Sequence, residues 1–545
     1  MMSDSLQNSD NPALQGHPAP DGRHNTVGIE VQHTGPLDTL LEHEEYLHGH
    51  SSEDAVGALL SEETPLLWAR RGDAEACGEE SILHALWEET VILLRYTLPV
   101  FGTHFLEFSL SLASVIALGH LNTTSLAAAS LASMTGAVTG LSIIHGMASA
   151  LDTVLPSAWT SPHPDLVGLW TQRMTVVMTA TLIPIFFIWF NAERILLTIK
   201  QDPEVAHLAG IYLRWLSLSL PAYGFNSISR RYFQSQGLFA VPTRIVVAAA
   251  PINIVLTYLL VWGPDSVRLG FVGAPISTTI SVNLISIASI FYGVFFTPRT
   301  AWHPLSRRAF SNLGMLVGQG LAGVAQVGAE WWSWELNGLS ASFLGPMLLA
   351  SQNVMLQSSA SMFQVPYSLS IAACVRIGNL LGEKDHMRAH TASQAALILA
   401  AVFGMMSSAI FVIFPRQWAS IFSTDEDVLA AVVHTLPLVA VFQLFDGIGC
   451  ACGAILRSQG KQITAATLNL TARCIFIPFG IWLAFRGHMG LDGLWTGVSI
   501  ALFFVSVGGI WIVLKTDWTK EMLKVQARIA EEQKQRRLYQ GDSDA

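Results

Sequence analysis

LGMLVGQGLAGVAQVGAEWWSWELNGLSASFLGPMLLASQNVMLQ, residues 313 to 357, is the stretch whose reading decides the fold. The run is apolar enough to cross a membrane, yet Glu330 and Glu335 stand inside it. A carboxylate at the middle of a membrane helix costs roughly 2.5 to 3.5 kcal/mol on insertion scales, so it is usually kept for function, transport above all. At 100° per residue, Gln319, Gln326, Glu330, Ser333 and Asn337 share one helical face, because spacings of three, four and seven return to the same side. Glu335 lies about 140° from Glu330. The stretch therefore predicts a helix with one polar stripe around Glu330 and a second acid facing elsewhere.

The rest of the chain agrees with a membrane protein. Of 545 residues, 51% are hydrophobic and 13% charged, with sixteen Trp and a mean hydropathy of +0.43. Apolar runs near the length needed to cross about 30 Å of hydrocarbon recur after residue 90. Twelve are expected, at 91 to 118, 125 to 149, 167 to 190, 205 to 225, 240 to 262, 270 to 296, 313 to 340, 345 to 370, 391 to 415, 428 to 453, 464 to 485 and 490 to 514. The net charge of −10 is uneven: residues 1 to 80 carry 16 of the 40 acids and three basic residues. The remainder is slightly positive, which argues against nucleic acid as a partner. Cys77, Cys374, Cys450, Cys452 and Cys474 fall in the tail or in spans, so no disulfide framework is expected. No cofactor is implied, and His386 and His390, one turn apart, lack a third metal ligand.

Residues 1–88 read as a disordered acidic tail without a signal peptide. Within it, GluGluThrProLeuLeu at 62–67 resembles an acidic dileucine sorting signal, which favours the vacuolar membrane over the plasma membrane. Loops after even-numbered spans hold Arg230, Arg231, Arg299, Arg307, Arg308, Arg376, Lys384, Arg388, Arg457 and Lys461. Loops after odd-numbered spans hold Arg194, Lys200, Arg268, Arg416 and Arg486. The excess on the even side places both termini in the cytosol. Asn122 then begins a sequon on the opposite side. Residues 516–545 read as a solvated cytosolic helix.

A duplication organises the membrane portion at an offset of 223. SerGlnGly at 235–237 recurs at 458–460, LeuAla at 126–127 recurs at 349–350, and Asp202 matches Asp425. Two six-helix halves follow, 89–300 and 301–515. Because six is even, both halves cross in the same direction, a parallel repeat of the kind that binds substrate between its halves. The offset maps Glu330 onto Glu107, whose helix carries Thr103, Ser111 and Ser114 on the same face. The expected fold class is an all-α polytopic membrane protein, with twelve transmembrane helices in two six-helix lobes. Asp446, in the tenth span, is a fourth intramembrane acid.

GluTrpTrpSerTrpGlu at 330–335, LeuAlaSerGlnAsn at 349–353, ArgIleGlyAsnLeuLeuGly at 376–382, SerAlaLeuAspThr at 149–153 and the two SerGlnGly segments resemble the MATE (multidrug and toxic compound extrusion) family over roughly 89–515. The long acidic tail and TrpThrSerProHisPro at 159–164 look like the fungal members. The resemblance implies two lobes facing across a cavity, alternating access, and export of small organic cations against protons, or against sodium. It also implies that acids of the seventh and tenth spans, here Glu330, Glu335 and Asp446, handle the coupling cation. Animal members often have a further acid in the eighth span, where this chain has Gln357.

By position, Gln326, Trp334, Asn337, Gln352, Asn353, Gln357, Thr103 and Ser111 are the expected cavity lining. Trp334 lies about 80° from Glu330, at the edge of the stripe, where its face can meet a flat cation. Trp331 and Trp332 read as packing residues, and Tyr367 as a weaker cavity candidate. Asp152, Arg376, Gly378, Asn379 and Gly382 read as turn residues on the cytosolic side. A monomer in the bilayer is expected. A lipid-linked-sugar flippase would want a cationic cavity, whereas the mid-span charges are mainly carboxylates, Arg214 and Arg473 excepted. An enzyme would need a built nucleophile or metal site, and His104 and His145 have no supporting motif.

Overall fold

A computed structural model describes residues 79–119 and 121–541, all within the compact unit spanning residues 67–545. The dileucine segment and most of the acidic tail lie outside the described residues. Among the described residues all regular structure is helical. Twelve helical spans succeed one another: Glu79–Gly119, Thr123–Trp159, Leu166–Phe190, Pro203–Ser217 continued by Leu220–Ser235, Ala240–Trp262, Gly273–Phe295, Leu313–Ser342, Pro346–Gly382, His386–Ile413, Glu426–Ser458, Gln462–Phe485 and Leu491–Leu514. Nine helical stretches among the described residues are long and apolar enough by themselves to cross a membrane. The seventh span is diluted by Gln319, Gln326, Glu330 and Glu335. The fourth breaks at Leu218 and Ser219, because Pro221 cannot donate to a carbonyl one turn earlier.

The repeat has local structural causes. Asp202 caps its helix by accepting from the amides of Glu204 and Val205, and Asp425 does the same for Asp427 and Val428. Gly237 and Gly460 both leave their helices at positive φ, +79° and +77°, where a side chain is strained. The same cap and the same exit thus recur at one offset.

Several spans run further than their apolar segments suggest. Helix begins at Glu79 rather than beyond residue 88, and Glu89 holds the extension in place. It is fully buried, accepts from Arg376 at 2.8 and 2.6 Å and from Arg388 at 2.5 Å. The fourth, eighth and tenth spans likewise continue through Arg230, Arg231, Arg376 and Arg457. These four are therefore helical, not loop residues, and do not count toward the sidedness argument. Asp152, Arg376, Gly378, Asn379 and Gly382 are also helical rather than turn residues. They form the seam between the halves. A Cβ on Gly378 would lie 2.8 Å from Pro156, and one on Gly382 2.5 Å from the Ser157 carbonyl. Thr160 donates to the Asn379 carbonyl at 2.7 Å, and Thr153 to that of Arg457 at 2.7 Å.

Glu89, Arg376 and the C-terminal helix Trp518–Gly541 all gather at this seam, so both ends of the described chain sit on one face, called here the terminal face. The C-terminal helix is not a solvated appendage. Trp518, Val525 and Ile529 are buried. Gln526 donates to the Leu381 and Gly382 carbonyls, both at 3.1 Å, and Arg528 to the Thr153 carbonyl and Ser157 Oγ at 3.1 and 2.9 Å. Arg173, 0% exposed, is held by Glu532 at 2.9 Å and lies over the Trp170 ring. Removing one member of such a pair leaves a buried charge and costs about 3–5 kcal/mol. Glu532→Gln is accordingly expected to lower the thermal midpoint of the purified protein by several degrees, read by fluorescence-detected size exclusion after heating. An unchanged midpoint would show that the helix contributes nothing to the fold.

Candidate functional site

Between the halves lies a cavity of about 560 Å³, lined by the first, second, fourth, seventh, eighth, tenth, eleventh and twelfth spans. Its size suits a drug-like solute. Below it the halves close against each other at the terminal face, since the second and seventh spans touch through Gly146 and Gly323. A Cβ on Gly146 would stand 2.5 Å from the Val324 backbone.

The seventh span presents Gly323, Gln326, Val327, Glu330, Trp331, Trp334 and Glu335 to the cavity. This face is rotated by about 60° from the predicted polar stripe. Ser333, on the far edge of that stripe, and Asn337, within it but two turns further along the helix than Glu330, are buried, and Asn337 Nδ2 donates to the Ser333 carbonyl at 2.9 Å. Asn337 thus turns into its own helix rather than to the cavity. Glu335 does reach the cavity, because the space wraps round the helix further than its polar stripe. Trp331 also faces the cavity, while Trp332 is 59% exposed on the outer surface.

Trp334 is the inner face of an aromatic cluster, 5.7 Å from Phe442 and 5.8 Å from Trp495 between ring centroids. Gln352 was expected in the lining but is 1% exposed, and accepts from Trp495 Nε1 at 2.8 Å. It acts through that ring, steadying the wall behind Trp334. Asn353 and Gln357 do not reach the cavity either, whose eighth-span lining is Leu356, Ser359, Ala360, Phe363, Gln364, Tyr367 and Ile371. Thr103 is buried, bonded to Thr243 Oγ1 at 2.8 Å and donating to the Pro99 carbonyl at 3.0 Å. It ties the first span to the fifth. The Ser111 side chain lies outside those described.

Asp446, on the tenth span, lies close enough to Glu330 and Arg473 to interact electrostatically. Among the described residues no hydrogen bond or ion pair is made by Glu330, Glu335 or Asp446. Glu107 differs. Both its oxygens accept from the Arg230 guanidinium, and His104 Nδ1 lies 3.5 Å away. Its repeat partner stands free, whereas Glu107 is a counterion. Breaking a pair by one member costs more than removing both. Glu107→Gln is therefore expected to reduce both thermal stability and transport, and the double variant Glu107→Gln, Arg230→Gln to recover part of the stability. Strictly additive losses would show the two charges to be uncoupled.

The terminal-face end of the cavity is basic in a way that sequence reading passed over. Arg231 Nε donates to Asp152 at 2.8 Å, and Arg457 Nε lies 3.8 Å from the same carboxylate. His104, His145 and Tyr367 line the same region, with His104 5.0 Å from Tyr367 between ring centroids. The second span reaches it after a π-helical turn at Ala137–Leu141, which shifts the phase of the residues that follow. The offset of 223 offered a signal, since Gln234 and Arg457 are equivalent and both line the cavity.

Comparison with known proteins gives the arrangement a family. Residues 99–259 and 324–482 match the MatE family model, one segment in each half. An uncharacterized transporter of Schizosaccharomyces pombe is 35% identical over 435 residues, 80% of each chain. Multidrug and toxin extrusion protein 2 of Mus musculus is 30% identical over 81% of this chain and 77% of its own. The crystal structure of the eukaryotic MATE transporter AtDTX14 superposes with a TM-score of 0.77 at 29% identity, covering 82% of this chain and all of that one. With its twelve helical spans, its duplicated halves and the cavity between them, the chain is a multi-pass membrane protein belonging to the MatE family of transporters.

Proposed function

We propose that the protein exports organic cations, drugs or toxic metabolites by proton-coupled antiport with alternating access. The observation that carries this reading is the pair Glu330 and Asp446, two neighbouring carboxylates on one cavity with no partner among the described residues. Poor hydration disfavours the charged carboxylate and a nearby cation favours it, so proton and organic cation compete for one place. Trp334 and Trp331 add ring faces beside the acids, suited to a flat cation. If protonation releases the solute and favours the return of the cavity, a proton gradient drives export, because only differential affinity between states moves the equilibrium.

The moving bodies in this reading are residues 89–300 and 301–515, and the protein works as a monomer. Arg299, Arg307, Arg308, Lys384, Arg388 and Lys461 support a cytosolic terminal face, and the 62–67 segment supports the vacuolar membrane. Carboxylates also bind sodium, so a sodium-coupled antiporter is the alternative. Cation uptake into proteoliposomes under a proton gradient, compared with a sodium gradient, separates the two: uptake driven only by sodium overturns proton coupling.

A further inference from the structure

The tenth span presents a polar stripe with opposite charges at its ends. Asp446 and Arg457 are eleven residues apart, close to three whole turns, so they share one face about 16 Å apart along the axis. Gly449, Cys450 and Gly453 lie between them on that side, and Gly449 and Cys450 line the cavity with the two charged residues. A Cβ at Gly453 would sit 3.4 Å from both Gln326 Nε2 and Arg457 Nη1. Gly449 and Cys450 thus carry the cavity wall between the charges, while Gly453 makes room for the Gln326 and Arg457 side chains that lie against it.

The neighbouring spans reinforce this polarity. At the Asp446 end stand Glu330 and Glu335 against the single Arg473, whose Nε is bonded to Asn469. At the Arg457 end, Glu107 is matched by Arg230, and Asp152 alone faces both Arg231 and Arg457. Arg457 Nε is buried and has no hydrogen-bond partner among the described residues. With carboxylates and guanidiniums ionised, one end carries surplus negative charge and the other surplus positive charge. His104 and His145 also line the Arg457 end.

We infer that the cavity binds bipolar solutes, with an ammonium or other organic cation against Glu330 and Asp446 and a carboxylate or comparable anion on Arg457 and Arg231. The geometry sets a separation on the order of 10 Å between the two charges, the axial distance less the reach of the side chains. A simple cation leaves the Arg457 guanidinium with its one distant carboxylate. A bipolar solute of the right length gives it a charge-assisted partner, which is among the stronger hydrogen bonds available. This inference rests on the proposed cation site for one end of the solute, and on Arg457 for the other.

Three probes test it on the purified full-length protein: trimethylammonio-octanoate, its methyl ester, and trimethylammonio-acetate. The octanoate spans both ends, the ester keeps length and cation but loses the anion, and the acetate is too short to bridge. Binding is measured by quenching of tryptophan fluorescence and, separately, by competition against a fluorescent cation in proteoliposomes. The octanoate is expected to bind about tenfold more tightly than its ester, as one charge-assisted hydrogen bond allows, and more tightly than the acetate. In Arg457→Gln the octanoate-to-ester ratio should fall to about one, and in Arg457→Lys it should largely return. Equal affinity of ester and octanoate in the wild-type protein overturns the inference, as does a ratio that survives Arg457→Gln. Should Arg457→Gln fail to fold, the wild-type comparison and Arg457→Lys decide. Absence of gradient-driven cation uptake alongside a clear octanoate preference in binding would instead overturn the proposed antiport, so the two failures are distinct.

Discussion

Glu330→Gln is expected to reduce gradient-driven cation uptake to the level of protein-free liposomes while the protein inserts and purifies normally. The amide matches the carboxylate in size, so packing on the seventh span is preserved. It cannot exchange a proton or neutralise a cation. Asp446 would then face the cavity as the remaining member of the pair, beside Arg473. Binding in the absence of a gradient weakens as well, because the organic cation loses one of its two counterions. Normal retention on size exclusion with no uptake is the expected combination. Uptake at the wild-type rate would remove Glu330 from the mechanism and leave Asp446 and Glu335 as the candidates.

Gly323→Val is expected to be nearly as severe by a different route. A Cβ on Gly323 would overlap the backbone carbonyl oxygen of Gly146, Ser149 Oγ and Gln462 Nε2, and a Ser149–Gln462 hydrogen bond crosses the seam at the same place. A side chain can rotate away from a new methyl group, but a carbonyl in a packed helix cannot. The halves must part at the terminal face, and overpacking of this kind costs about 1–3 kcal/mol. That shifts a two-state equilibrium by roughly 5- to 150-fold toward the state with the seam open. Uptake should fall accordingly. Cys450, which lines the cavity, should become more reactive to an impermeant maleimide added from the terminal face. That measurement uses a protein with Cys77, Cys374, Cys452 and Cys474 replaced by Ser. Wild-type uptake and labelling in Gly323→Val would show that the seam does not govern access.

Those two outcomes also mark where the sequence was legible. All twelve spans could be placed because each needs only its own residues, and hydropathy at a fixed length is a local property. The duplication was legible for the same reason: an aspartate cap and a positive-φ glycine act within a few residues of themselves. Helical phase grouped Glu330 with Ser333 and Asn337, as geometry requires. Which part of that face meets the cavity depends on neighbouring spans, so Asn337 turned inward and Glu335 did not. Charge near a span end was read as a stop signal. Arg230, Arg231, Arg376 and Arg457 continue their helices instead, because Glu107, Asp152 and Glu89 await them across long sequence separations. Gln352 reaches the site only through Trp495, a relation no spacing rule contains.

The C-terminal helix lies across the closing seam and holds on unequally. Toward the first half it makes the buried Arg173–Glu532 pair, the Arg536–Asp165 pair at 3.1 Å and the two Arg528 bonds. Toward the second it has two Gln526 bonds to backbone carbonyls and Lys461–Glu521 at 3.2 Å. The chain itself adds to the second set, since only residues 515–517 separate this helix from the twelfth span, and the Trp518 ring lies 5.7 Å from that of His390. The helix therefore belongs to the second half and reaches the first through its charged side chains. Any parting of the halves at this face has to separate Arg173 from Glu532, so the helix adds the cost of breaking a buried ion pair to the resistance of the seam.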